Sequence, residues 1–507
     1  MESTPPVETV NSATAAEPAA QNSREKLDRS LVGGVAWTGG VKWGTQLITW
    51  LSTMVVARLL SPSDYGVVGL ATLYLGFISL LGEFGIGAAV VTFRDLTRDQ
   101  LAQMNALAVV VGFLSFAISA AAAKPLALFF HSEQLTAVVV VLSAGFLVSG
   151  FQVVPNGILQ KELRFRALAG IEGVRTLVAA ALAVALAIGG LRYWTLVLSG
   201  LFATVLGSAI TYFFAPIAFS IPRRASVASA MRLSFHILLS RISWYVYSNA
   251  DFFVAGRWLG QTALGSYTLA WSVASVPVEK WTTIVSRVTP GLFSAVQHDK
   301  AELRRYLLLI TEVIAVVTVP AAAGIALISS DFVPLVFGEK WRAAAFPLAM
   351  LAIASALRSL TPPIPVLFNT IGFSRFNMWQ TVLTSAVMPF AFLAGAKWGI
   401  SGIALVWVFV YPFSSVPVYW KLRKVIDLRM STYFKAIEPA TVGTVAMIMA
   451  IVLVDYLGLR LEPAGVRVAT KILVGAAVYA GSILLLYRDR LAAFRKAVSL
   501  IRGSTSK

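Results

Sequence analysis

About fourteen apolar stretches follow one another along this chain with only short polar connections between them. They lie near residues 36–57, 66–92, 101–123, 135–155, 168–188, 193–219, 235–257, 264–291, 306–329, 344–368, 377–396, 399–420, 436–456 and 467–487. A helix needs roughly 20 such residues to cross the hydrocarbon core of a bilayer. In hydrocarbon every backbone N–H and C=O must find a partner within the protein, so stretches of this length can only form helices. The expected fold is therefore an all-α polytopic membrane protein with about fourteen transmembrane helices. Composition agrees, because 57% hydrophobic and 13% charged residues cannot supply a water-facing surface of ordinary polarity.

The connections carry an orientation. With a cytoplasmic N-terminus, the tails and the loops after even-numbered spans hold 26 of the 42 lysines and arginines, and the opposite loops hold nine. This asymmetry predicts a bacterial inner (cytoplasmic) membrane protein with both termini in the cytoplasm. The net charge of +18, which in a soluble chain would suggest nucleic acid, is accounted for by topology, and no nucleic-acid partner is expected. Residues 1–30 have no apolar signal-peptide core and read as a disordered cytoplasmic tail, and residues 491–507 as a basic one. The longest outer loop on this reading runs from Ser329 to Ala343, too short for an extracytoplasmic catalytic domain. The chain has no cysteine and three scattered histidines, His131, His236 and His298, so no thiol chemistry, metal site or cofactor is expected.

The loop Ala57-Arg58-Leu59-Leu60-Ser61-Pro62-Ser63-Asp64-Tyr65-Gly66 returns 199 residues later as Gly256-Arg257-Trp258-Leu259-Gly260-Gln261-Thr262-Ala263-Leu264-Gly265. Arg58 falls on Arg257, Leu60 on Leu259 and Gly66 on Gly265. Six spans separate the copies, so both point the same way across the membrane. This predicts two pseudo-symmetric six-helix lobes, an N-lobe over 31–232 and a C-lobe over 233–430, related by an axis along the membrane normal. Two C-terminal helices over 431–490 fall outside the repeat.

A charge at the centre of a span costs roughly 2.5 to 3.5 kcal/mol on insertion scales, so each one needs a partner, a wet cavity or an escape to the interface. The offset carries Lys42 onto Arg241, and both have small or hydroxyl neighbours that favour a cavity-facing position over snorkelling. Arg358 lies among Ser355, Ser359 and Thr361 just before Pro362-Pro363, where broken backbone bonding demands protein or water partners. Arg175 is three residues from Glu172, so a structural ion pair and a ligand contact are both open. Lys280 adjoins Glu279 and points another way on the helix. These five cations, Lys42, Arg175, Arg241, Lys280 and Arg358, are the candidates for binding an anionic substrate such as a phosphate or diphosphate. Asp251, Asn249 and Glu83 are the candidates for proton or sodium coupling, or for gating. For Asp251 a gate pair with Arg257 stands beside the coupling role.

Several segments together resemble a known family: ARLLSPSDYG (57–66), LQKELRF (159–165), NADFFVAGRWLGQTALGSYTLAW (249–271), FGEKW (337–341), LRSL (357–360) and KWGISGIAL (397–405). They resemble the polysaccharide transporter, or Wzx-type flippase, family of the multidrug/oligosaccharidyl-lipid/polysaccharide exporter superfamily, over about residues 27–430. The similarity is greatest to the branch that exports exopolysaccharides such as colanic and teichuronic acids. The resemblance implies a flippase, not an enzyme. It would move undecaprenyl-diphosphate-linked oligosaccharide units from the cytoplasmic to the periplasmic leaflet for exopolysaccharide or lipopolysaccharide synthesis, by alternating access around a cationic cavity. Its implied partners are that lipid-linked substrate, the bilayer, and a polysaccharide polymerase and export complex. No strict set of binding residues transfers with it. A drug or metabolite antiporter of the same superfamily predicts dye efflux instead. A membrane glycan polymerase predicts a large catalytic outer loop, and a scaffold predicts that cavity substitutions leave polymer output intact.

Overall fold

The computed structural model describes residues 44–82, 86–93, 96–221, 242–457 and 463–487. Lys42, Glu83, Arg241 and both tails lie outside the described residues. Lys280 lies in a helix, but its side chain falls outside the description. The chain is an all-helical membrane protein. Among the described residues, ten helical stretches are long and apolar enough to cross a membrane by length and composition.

The helices are α1 (44–59), α2 (Pro62–Gly82), α3 (Ile86–Thr92), α4 (Arg98–Phe129), α5 (Gln134–Ser149), α6 (Val153–Lys161), α7 (Phe165–Ile188), α8 (Trp194–Phe214) and α9 (242–254). Then come α10 (Gln261–Ala295), α11 (Lys300–Phe337), α12 (Ala345–Ser359), α13 (Pro363–Thr370), α14 (Ser374–Gly395), α15 (Gly399–Val425), α16 (Met430–Tyr456) and α17 (Ala464–Leu486). Local chemistry sets many of the ends. Thr97 and Gln100 form a reciprocal capping box that starts α4, and the Asp299 carboxylate accepts from the first amides of α11. Pro362 and Pro363 lack N–H groups, so α12 stops at Ser359 and α13 begins afresh with proline in its first turn. Between α14 and α15 the chain reverses at Gly399, whose φ of +68° favours glycine.

Two expectations are corrected. The loop expected over Ser329 to Ala343 is helical as far as Phe337 and continues as a short 3-10 turn over Glu339–Ala344. Asp331 is accommodated within the helix by Arg467 (3.0 Å) and Lys471 (3.1 Å), which neutralise it. Lys471 also meets Asp455 at 3.0 Å, so this network ties α16 and α17 to α11. The span expected over 135–155 runs on to Lys161 and is broken by a 3-10 turn at Gly150–Gln152.

The buried apolar core is shared at one end of the bundle and divided at the other. One large cluster joins Ala57, Val67, Leu70 and Val138 of the first half to Val254, Tyr267, Trp341 and Trp407 of the second. Towards the opposite end, Ile86, Val90, Met104 and Val154 form a separate core, as do Phe293, Leu307, Phe368 and Leu422. Among the described residues the core is thus continuous across both halves at the end carrying the α1–α2 and α11–α12 connections, the closed end, and split into separate clusters at the other, the parted end. Helix α12 is the most enclosed, with 67% of the most apolar window of its stretch buried, against 22% for α17 at the periphery.

Helices α2 and α10 cross in parallel at the closed end, through positions that the 199-residue offset relates. A Cβ added to Gly66 would overlap the carbonyl oxygen of Gln261, and one added to Gly265 would overlap that of Pro62. The contact is reciprocal, since the offset carries Pro62 onto Gln261 and Gly66 onto Gly265. Gly66→Ala or Gly265→Ala is therefore expected to destabilise the fold by about 1–3 kcal/mol or more through overpacking. Gly324→Ala has nothing within 4 Å of the new atom and should be neutral. Thermal unfolding in detergent reads the difference, and equal midpoints for the three variants would refute the close approach.

Candidate functional site

A cavity of about 1250 Å³ lies within the second half of the chain, between α9, α10, α12, α13, α14 and α15. At its deep end are Trp271, Ser355 and Arg358. Towards the parted end it is lined by Ser243 and Trp244 of α9, Asn369 of α13, and Arg375, Asn377 and Trp379 of α14. The lining combines two arginines, three tryptophans, two tyrosines and several hydroxyl and amide side chains, and contains no carboxylate among the described residues. Such a wall offers donors and flat apolar faces to a ligand that supplies acceptors and negative charge.

Arg358 lies over two indole rings. Its Cζ stands 4.8 Å from the centroid of the Trp271 ring and 4.3 Å from that of Trp407. Desolvated cation–π contacts contribute about 1–2 kcal/mol each, so two of them offset much of the cost of placing the cation here. Arg358 makes no salt bridge to a carboxylate among the described residues. A cation–π contact engages the charge and not a particular N–H donor, so it leaves the guanidinium N–H groups for an anion.

Asp251, fully buried, lies at the edge of the Trp407 ring. Its Oδ2 accepts hydrogen bonds from Trp407 Nε1 (2.8 Å) and from the Tyr267 hydroxyl (2.8 Å), and its Oδ1 accepts from the Phe252 amide (2.9 Å). Aromatic neighbours pack the assembly on all sides: Phe392 at 5.2 Å and Tyr411 at 5.7 Å from Trp407, and Trp271 at 5.6 Å. The anticipated gate pair of Asp251 with Arg257 does not form, because the Arg257 guanidinium lies 5.0 Å from the Phe129 ring instead. Asn249 donates back to the Tyr245 carbonyl one turn earlier, at 3.0 Å.

The other sequence candidates are dispersed. Arg175 pairs with Glu172 at 2.9 Å on the partly exposed face of α7 and is not among the residues lining the cavity. Arg375, between the spans expected over 344–368 and 377–396, lines the cavity towards the parted end. Trp271 and Trp407 carried no signal beyond being aromatic residues in apolar spans. Their role depends on α10, α12 and α15 coming together.

At the closed end the halves are latched. The Trp341 indole donates to the Ala57 carbonyl at 2.8 Å and meets Tyr65 edge-on at 5.1 Å. Lys340 donates to the Arg58 carbonyl at 2.7 Å, and the Arg58 guanidinium donates to the carbonyls of Leu335 and Val336. Asp64 caps α2 through Ser61 and faces Arg192 at 3.4 Å. The segments ARLLSPSDYG and FGEKW thus meet face to face.

Comparisons with known proteins bear on this arrangement. Residues 55–346, more than half of the chain, match the model of a family described as polysaccharide biosynthesis protein. The chain is 27% identical over 408 residues to the lipopolysaccharide biosynthesis protein WzxC of Escherichia coli (strain K12), covering 76% of this chain and 80% of that protein. Among solved structures it resembles the lipid II flippase MurJ in an inward closed conformation, with a TM-score of 0.73 at 12% identity over 90% of this chain and 99% of that one. It also resembles an inward-facing multidrug resistance MATE family transporter of the MOP superfamily, with a TM-score of 0.62 at 18% identity over 75% of this chain and 94% of that one. At these identities the two structures establish a shared fold.

Proposed function

The chain belongs to the polysaccharide biosynthesis protein family, and from that premise we propose that it is a flippase, a carrier and not an enzyme, for an oligosaccharide linked through a diphosphate to a polyprenol such as undecaprenol. The observation that supports this reading most is Arg358, which lies over two indoles in a cavity lined by no carboxylate among the described residues and makes no ion pair with one there. A cationic drug would meet two arginines there, which disfavours the antiporter alternative.

The mechanism follows from the parted bundle. With both termini cytoplasmic, as the loop charges predict, the cavity opens towards the cytoplasm and the Arg58–Trp341 latch closes the periplasmic side. The diphosphate enters at Arg375 and is gripped deeper by Arg358, while the polyprenyl tail stays in lipid. Fourteen spans in an arrangement of six, six and two give the symmetry for the halves to rock. Release of the latch and closure of the parted end would then expose the head group to the other leaflet. Loss of the gene is expected to accumulate the polyprenyl-diphosphate-linked oligosaccharide with its glycan on the cytoplasmic leaflet, measured by mass spectrometry and by protection of the glycan from external reagents. Accumulation of no lipid-linked sugar would count against the proposal.

The exposed faces of Trp244 and Trp379 on the cavity wall suit the apolar faces of sugar rings. Trp244→Leu and Trp379→Leu are expected to weaken binding of the glycosylated lipid about 3- to 10-fold each, as loss of a stacking contact does. Binding of the same polyprenyl diphosphate without sugar should stay within twofold. Equal loss for both ligands would remove the glycan from this wall.

A further inference from the structure

We infer that Asp251 is a positioning residue for the anion-binding guanidinium of Arg358, acting through the Trp407 indole, an inference that rests on the flippase reading above. Asp251 does not line the cavity, and its side chain is wholly covered. It makes no ion pair with Arg358. Among the described residues its carboxylate is held by a phenol, an indole and a backbone amide. A fully buried carboxylate served by neutral donors is a costly feature that needs a structural reason.

The reason lies in how a cation can be kept ready for a ligand. A direct Asp–Arg pair would occupy the guanidinium fork that an incoming phosphate needs. Here the Trp407 indole touches both groups, with its edge N–H on Asp251 and its face under Arg358. The bond from Trp407 Nε1 to Asp251 fixes the ring about its side-chain torsions, and the ring face fixed in this way is the one 4.3 Å from Arg358. The Tyr267 hydroxyl, on the same carboxylate oxygen, ties this arrangement to α10, which also supplies Trp271. The buried carboxylate at the ring edge also acts electrostatically on Arg358 without consuming one of its donors. Four helices, α9, α10, α12 and α15, are thus registered by one carboxylate on one arginine.

The test is a double-mutant cycle read by equilibrium binding of a short-chain polyprenyl diphosphate to the full-length protein in lipid nanodiscs. Asp251→Ala is expected to weaken binding about tenfold, within the range for coupled neighbours. Asp251→Asn keeps an oxygen that accepts from Trp407 and Tyr267, and should lose only about threefold. Made on an Arg358→Ala background, Asp251→Ala should cost less than a further twofold, because the group it positions is already gone. Should Asp251→Ala fail to fold, Trp407→Phe, which keeps a ring and loses the N–H, completes the same cycle with Arg358→Ala.

Additive losses would overturn the inference. So would an Asp251→Asn protein that binds like the parent yet loses gradient-driven transport, since that outcome marks an ion-coupling carboxylate. A parent protein that binds no polyprenyl diphosphate at all would instead overturn the flippase reading, which keeps the two failures apart.

Discussion

Replacing Arg358 with alanine is expected to raise the half-saturating concentration of a lipid-linked oligosaccharide about 30-fold or more. A charge-assisted, bidentate bond between guanidinium and phosphate in a partly desolvated site contributes about 2 kcal/mol or more, which corresponds to that factor. Arg358→Lys should recover only a minor part. A lysine keeps the charge but has neither the fork nor the flat surface that lies on Trp271 and Trp407. The control is Arg175→Ala, expected within about threefold of the parent because its guanidinium is engaged with Glu172 away from the cavity. Binding titrations in nanodiscs, with thermal midpoints to confirm folding, measure all three. Equal effects at Arg358 and Arg175 would mean that the cavity is not the binding site.

The second large effect is expected at the latch. Trp341 is fully buried and bonds across the two halves of the chain. Truncating a buried tryptophan costs about 3–5 kcal/mol. To the extent that the contact exists only while this end is closed, the loss falls on that conformation alone. A differential of about 2–3 kcal/mol shifts a two-state equilibrium roughly 30- to 150-fold. The protein has no cysteine, so spin labels can be placed at Leu59→Cys and Arg342→Cys without background. Pulsed dipolar spectroscopy should give one short distance for the parent and a substantial longer population for Trp341→Ala. An unchanged distribution would show that the latch does not hold the end closed.

The division between what the residues announced and what they withheld has physical causes. Helical class followed from the length of the apolar runs, because lipid leaves the backbone no alternative. Arg358 was legible because a cation beside Pro362-Pro363 has no inexpensive explanation inside a span. Its aromatic clamp was not. Trp271 and Trp407 lie 87 residues before and 49 residues after it, and a tryptophan in an apolar helix reads equally well as core, lipid face or interface anchor. Asp251 was conspicuous as a buried charge, yet its partners Tyr267 and Trp407 are set by α10 and α15 packing against α9. Arg375 falls between the spans expected over 344–368 and 377–396, and a charge there reads as topological without saying anything of the cavity it also lines.

The 199-residue offset was more informative about contact than about chemistry. Gly66 and Gly265 are the points where α2 and α10 approach most closely, which only residues without a side chain permit. Arg58, by contrast, looked like one of a few outer-face cations. The carbonyls it binds at Leu335 and Val336 are more than 270 positions away, at the end of a helix whose last turns were read as loop.

The most direct test of the account is translocation itself, followed in vesicles that contain only the purified protein and a fluorescent polyprenyl-diphosphate-linked oligosaccharide. A membrane-impermeant reagent that modifies the glycan reports the fraction on the outer leaflet over time. The account predicts that the parent protein makes nearly all of the substrate reactive, whereas Arg358→Ala vesicles stop near the half initially exposed. Equal traces for the parent, Arg358→Ala and protein-free vesicles would contradict it.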